Sequence, residues 1–157
     1  PAGVVTGAPV IRLATRDDLP AIVGLLADDE IGARPEDAGE SLNAKYTAAL
    51  DAITAEQGNQ LVVMERDGIC IGCLQITVFQ GFDRLGARRA WIEGVRVASH
   101  LRGQGLGHAL LDWTIAYARQ QGCEFVQLAV NKNRGDAIRY YRSLGFKADH
   151  EGMKLDL

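Results

Sequence analysis

The 157-residue chain has no apolar run near the roughly 18 residues needed to cross a bilayer, so no membrane partner is expected. Proline is scarce at four residues, and cysteine scarcer at three. Cys70, Cys73 and Cys123 are too few and too odd a set for a disulfide framework, and they fit a reducing cytoplasm. There is no basic excess: 17 Lys plus Arg stand against 20 Asp plus Glu, for a net charge of -3. A global field for nucleic acid is therefore absent, and no nucleic-acid partner is expected. No basic segment precedes an apolar one at the start, so a secretory leader is not expected. Pro1 is not an initiator residue, which points to something upstream of it. No closed zinc ligand set is visible, and no metal is expected.

Apolar residues make up 47% and charged residues 24%, an ordinary soluble composition. The length suits one domain with its own core. Glycine is the outlier, with 18 residues. That is roughly 11%, against about 7% in average usage. The glycines follow no three-residue period, which excludes collagen.

Residues 1–9 read as a frayed leader and 10–157 as a single domain. Periodicity predicts a strand over 10–13, then a helix capped by Thr15 with Leu19, Ile22, Val23, Leu25 and Leu26 inward. Residues 28–41 read as an acidic loop, and 43–56 as a second helix. Asp67-Gly68 marks a hairpin between strands over 60–66 and 69–79. A flexible 81–89 connection leads to a strand over 90–98. Then come a helix over 106–121, a buried strand over 125–130 and a helix over 136–144. Two last strands are expected over 146–148 and 153–157. The fold class is α/β (α+β), a mixed central sheet of six to seven strands flanked by about four helices.

The most informative segment ends the 90–98 strand and opens the next helix. Arg102-Gly103-Gln104-Gly105-Leu106-Gly107 offers a glycine-rich turn, free first-turn amides and a guanidinium, a combination suited to an anion. A turn that only packs helix on sheet is the alternative. Its spacing differs from the dinucleotide fingerprint, and no Walker lysine follows.

This segment resembles the (Gln/Arg)-x-x-Gly-x-(Gly/Ala) motif of the GCN5-related N-acetyltransferase (GNAT) superfamily. Downstream, Asn133, Ala137, Tyr141 and Gly145-Phe146 look like that family's Asn…Ala…Tyr…Gly-Phe signature. The opening Ile11-Arg12, Ala14, Asp17-Asp18-Leu19 and Ile22 also resemble its first strand and helix. The resemblance covers roughly residues 10–157. It implies acetyl-coenzyme A as co-substrate and a sheet splayed between its fourth and fifth strands. Val95, Arg96 and Val97 would line the acyl arm, with Val95 and Val97 offering backbone groups. Amides across Arg102, Gly103, Gln104, Gly105, Leu106 and Gly107 would hold the pyrophosphate. Asn133, Ala137 and Tyr141 complete the implied cofactor set. A β-carbon at Gly105 or Gly107 is expected to clash or close the turn.

Acetyl transfer by direct attack needs a neutral amine and an acid for the departing thiolate. The resemblance puts Tyr141 in the acid's position, and its ordinary pKa near 10 suits the role. Glu93 is the first candidate for the ammonium proton, and His150 the second. If no bulge intervenes, strand parity puts Glu93, Val95 and Val97 on one face; a bulge near Gly94 changes this. Cys70 and Cys73, three apart in a strand, are expected on opposite sides, as packing residues and not a redox pair. His100 and His108 read as cofactor-side or exposed.

The acceptor is open. Asp28, Asp29, Glu30, Glu36 and Asp37 would attract a cationic amine. Arg84, Arg88 and Arg89 would attract an acidic or phosphonate-bearing one. Phe79, Phe82 and Trp91 are candidates for an apolar rim. A primary amine of a small molecule is the favoured acceptor. A protein or peptide amine and a non-catalytic coenzyme A-binding or structural protein are the alternatives. The resemblance also implies a homodimer.

Overall fold

The computed structural model describes residues 7–28, 39 and 41–157. Most of the leader read over 1–9, and Asp29, Glu30, Glu36 and Asp37 of the acidic loop, lie outside the described residues. Residues 1–127 and 128–157 form two compact units.

In the first unit, β1 (Val10–Leu13), β2 (Asn59–Arg66), β3 (Ile69–Gln80) and β4 (Arg88–Val97) follow one another as antiparallel neighbours. The β2–β3 turn is the expected two-residue one, with Asp67 held at φ 52° beside Gly68. β5 (Phe125–Leu128) lies beside β4. Glu124 N–H donates to Arg88 O at 2.9 Å, so β4 and β5 start at the same end and the sheet is mixed. β5 has four residues and β4 has ten, so β4 runs on past it.

Cross-strand partners share a face. One face carries Val62, Met64, Leu74, Ile76, Ala90 and Ile92, all fully buried. Helix α4 (Leu106–Gln120) covers it through Leu110 and Leu111. The opposite face carries Val63 and Cys73, packed against Leu19 and Ile22 of α1 (Leu19–Ala27) and Leu50 of α2 (Ala44–Ala55). Asn43 caps α2, its Oδ1 accepting from Lys45 N–H at 2.9 Å. Thr15 is the residue before the 3-10 turn Arg16–Asp18, and its N–H donates to the Asp18 carboxylate at 2.8 Å.

The 81–89 connection is tighter than the flexible link expected. Gly81 N–H donates to Ala87 O at 3.1 Å, and the Gln80 side-chain amide donates to the carbonyls of Gly81 and Gly86. Within it, one-turn α3 (Asp83–Gly86) holds Arg84 and Leu85 at positive φ.

The second unit contains α5 (Gly135–Ser143) and no regular strand after it. Five strands are present among the described residues, not six to seven, and the two expected over 146–148 and 153–157 are the missing ones. Phe146 N–H donates to Tyr141 O at 3.1 Å as part of the stop of α5. Met153, Leu155 and Leu157 alternate as a strand should, yet all three lie exposed. Alternation makes a strand only where a neighbour supplies the ladder.

Candidate active site

β4 carries a bulge. On β3 two steps separate Cys73 from Gln75, whereas three separate their partners Arg96 and Glu93 on β4. Gly94 supplies the irregularity with φ 64°, a conformation that β-carbon-bearing residues resist. The bulge reverses the face of everything after it. Glu93 shares its face with Arg96, and Val97 joins Ile92 on the α4 side. The unbulged parity, with Glu93, Val95 and Val97 together, does not hold. A β-carbon at Gly94 would stand 3.8 Å from Leu26 Cδ2, so the end of α1 borders the bulge on the Glu93 side.

Glu93 is exposed and stands opposite Gln75. Beside them runs a chain of polar side chains that sequence reasoning missed. Asn59 Nδ2 donates to Glu56 Oε2 at 2.7 Å, and Gln75 Nε2 donates to Asn59 Oδ1 at 2.9 Å. Thr77 Oγ1 donates to the same oxygen at 3.3 Å. No motif marks these residues; only the β2–β3–β4 register brings them to the face of Glu93.

Past the bulge, the Arg96 guanidinium donates to Val95 O at 2.8 Å, and Ala98 N–H closes on Ile71 O at 2.8 Å. The 3-10 turn Ser99–Leu101 follows, then Arg102, Gly103, Gln104 and Gly105, all exposed. Gly105 is the N-cap of α4 at φ 76°, and no side chain caps the helix. First-turn amides have no intrahelical acceptor and carry the positive end of the helix dipole. Buried Leu106 anchors this turn, and Gly107 lies inside α4. An added β-carbon at Gly103 or Gly105 meets nothing within 4 Å. The expected clash at Gly105 is therefore absent, and its glycine is required by backbone conformation. An exposed, uncapped amide turn beside Arg102 fits a diphosphate.

Thiols are not activated here. Burial pushes Cys73 up to about 12 and also raises Cys70 and Cys123. A second bulge, at Ile71 opposite the Met64–Glu65 step, puts Cys70 and Cys73 on one face, not on opposite sides as parity predicts. Both pack against the α1–α2 cluster.

The arginines beside β5 are engaged. Arg89 forms an ion pair with Asp83, and the guanidinium carbons of Arg84 and Arg89 lie 4.7 and 4.8 Å from the Phe125 ring centroid. Arg88 Nε donates to Gln121 O at 2.9 Å. Phe82 is fully exposed and Phe79 partly so, whereas Trp91 is half-buried.

In the second unit, Tyr141 lies on α5 with Ala137 one turn before it. Its ring meets Phe146 edge-on at 5.7 Å and Tyr140 at 5.6 Å. Asn133 N–H donates to Asn131 Oδ1 at 3.0 Å ahead of α5. His150 Nδ1 lies 2.7 Å from Asp149 Oδ1, an exposed contact that lowers the carboxyl pKa of Asp149. Among the described residues, no group of three His, Cys, Asp or Glu is placed to hold a metal, and no helix is long and apolar enough to cross a membrane.

Residues 20–146 match the model of the acetyltransferase (GNAT) family. The aminoalkylphosphonate N-acetyltransferase of Salmonella typhimurium is 41% identical over 59 residues, 38% of each chain. The glucosamine 6-phosphate N-acetyltransferase of Trypanosoma brucei brucei is 33% identical over 90 residues, 57% of this chain and 59% of its own. This chain thus spans less than two thirds of the length of these curated relatives. A crystal structure described as a transcriptional regulator from Bacillus halodurans superposes with a TM-score of 0.91 at 41% identity, covering 96% of this chain and all of that one. The family match runs from the first turn of α1 through the end of α5, across the bulged β4 and the glycine turn ahead of α4. The chain belongs to the acetyltransferase (GNAT) family.

Proposed function

We propose that this chain transfers the acetyl group of acetyl-coenzyme A to a primary amine of a small molecule by direct attack. The observation that carries this reading is the exposed, uncapped amide turn at Gly103–Gly105, between the bulged β4 and α4. Pyrophosphate would sit on the amides from Arg102 to Gly107, and the acyl arm would run along Val95, Arg96 and Val97. The same reading assigns Asn133, Ala137 and Tyr141 to the cofactor.

In the reaction, the amine nitrogen attacks the thioester carbon and the C–S bond breaks. The Tyr141 hydroxyl gives its proton to the departing sulfur, and the ammonium proton leaves through water to Glu93 or, in second place, His150. Direct attack is supported by the cysteines, since a thiol held up to about 12 is a poor acyl carrier at neutral pH.

The relatives with named acceptors act on small phosphorylated or phosphonate amines, which supports a small-molecule acceptor over a protein or peptide amine. The same reading carries a cytoplasmic homodimer. Thiol release from acetyl-coenzyme A, screened against small amines, polyamines, amino acids and peptides with mass detection of products, tests it. Acetyl-coenzyme A binding without release for any amine would instead favour a non-catalytic coenzyme A-binding protein.

A further inference from the structure

We infer that Gln75 holds the acceptor's ammonium group together with Glu93, and that Asn59 and Glu56 are positioning residues that fix which end of the Gln75 amide is offered. The inference rests on the transferase reading above and concerns the acceptor half of the same site.

The argument starts from a carboxylate. Glu56, immediately after α2, can only accept hydrogen bonds when ionised. Its Oε2 accepts from Asn59 Nδ2 at 2.7 Å, so the Asn59 amide has one allowed orientation. Asn59 Oδ1 is then an acceptor, and it takes Gln75 Nε2 at 2.9 Å and Thr77 Oγ1 at 3.3 Å. The Gln75 amide is fixed in turn. Its nitrogen faces β2, and Oε1 is left as an acceptor with no partner among the described residues.

On the other side of Gln75 stands Glu93, its direct cross-strand partner. Such pairs have β-carbons about 4.5–5.5 Å apart, so one ammonium, with three donors, can bridge a carboxylate and an amide oxygen there. Gln75 is half-buried and Glu93 exposed, so the pair opens to solvent at one side. A neutral acceptor and a carboxylate favour an ammonium at this pair. The chain of orientations runs from a charge to the substrate position with no amide able to turn over.

Arg12 of β1 and Glu65 of β2 lie on this face as well, with Arg12 paired to both Glu65 and Asp18, and α2 carries Lys45 and Asp51, the latter paired with Arg16. Arg89 and Arg96 lie on the same face of β4, with Arg89 paired to Asp83 and Arg96 bonded to Val95 O. Glu56 closes the β2 side, Asp28 follows α1, and α1 has no charged residue between Leu19 and Ala27.

The experiment measures KM for an acceptor whose amine titrates near pH 8, as α-amines do, in the wild type, Gln75→Met and Asn59→Ala. The pH series spans both sides of that pKa, and acetyl-coenzyme A affinity is followed in parallel. A hydrogen bond to a charged group corresponds to roughly tenfold in affinity. Gln75→Met is expected to raise KM about tenfold where the amine is protonated, with the gap closing above its pKa. Asn59→Ala moves KM the same way by less, and cofactor affinity stays unchanged in both. A gap independent of pH, or no gap, overturns the inference while leaving the transferase reading intact. No thiol release with any amine overturns the transferase reading, and this inference with it. Thermal midpoints identify a variant that is merely unfolded; in that case the other variant gives the result.

Discussion

Gly94 meets Leu26 with room for a methyl group, since a β-carbon there would lie 3.8 Å from Leu26 Cδ2, but its backbone at φ 64° disfavours one. Space and conformation give opposite answers at this position, and conformation decides. The bulge it permits is what puts Arg96 on the face of Glu93 and turns Val97 toward α4.

Gly94→Ala is therefore expected to destabilise the protein by about 1–2 kcal/mol, the cost of a left-handed alanine. Relief of that cost by flattening the bulge would shift the face of Arg96 and Val97, so turnover should fall more than stability does. Denaturant midpoints and thiol release on the same samples check this. Full activity in a normally stable Gly94→Ala protein would show that the bulge is dispensable.

Gly105→Ala acts through the same kind of backbone constraint in open space. The φ of 76° and the empty surroundings predict a loss of about 1 kcal/mol without any steric clash. Turning the first amides of α4 away should weaken acetyl-coenzyme A binding at least as much as it weakens folding. Calorimetric titration with coenzyme A is the measurement; unchanged affinity removes this turn from the pyrophosphate site.

Asp18 predicts an acid limb in stability. Its carboxylate accepts two bonds from Arg12, at 2.7 and 2.9 Å, and this pairing holds its pKa below the ordinary value. A depressed folded pKa means the unfolded chain takes up the proton first. The contribution is thus fully present above the unfolded value near 3.9 and lost as pH falls through the lower folded value. Asp18→Asn should cost on the order of 1–2 kcal/mol at neutral pH, since Arg12 is partly open to solvent and screened. The difference from wild type should shrink in urea titrations as pH falls below that unfolded value.

Cys73 should resist thiol reagents in the folded protein. Burial leaves it 1% exposed and pushes its pKa up to about 12, so little thiolate forms at neutral pH. Labelling with a disulfide reagent should leave Cys73 unmodified until denaturant is added, as peptide mapping would reveal.

Tyr141→Phe and Glu93→Gln separate the two proton roles. Loss of the acid should lower kcat across the active pH range with little change in KM for acetyl-coenzyme A. Loss of the Glu93 carboxylate should lower activity most at low pH, where the amine arrives protonated. Full turnover in Tyr141→Phe would withdraw the acid assignment, and an unchanged pH profile in Glu93→Gln would do the same for the base.

Local chemistry made much of the chain legible from its residues alone. Asp67-Gly68 specifies its turn because both positions need positive φ. Leu19, Ile22 and Val23 recur at helical spacing in α1, as Tyr46, Leu50 and Ile53 do in α2, and Gly103 and Gly105 mark the candidate anion-binding turn by their order between a strand and a helix. Tertiary structure decided the rest. A bulge costs one residue of register; Gly94 marked where one could fall, but alternation alone could not decide the faces of Arg96, Val97 and Cys70. Met153, Leu155 and Leu157 alternate correctly and still form no strand, because a ladder requires a neighbour. The joining of Glu56, Asn59 and Gln75 spans three elements, and only strand pairing converts that separation into one hydrogen-bonded chain beside Glu93.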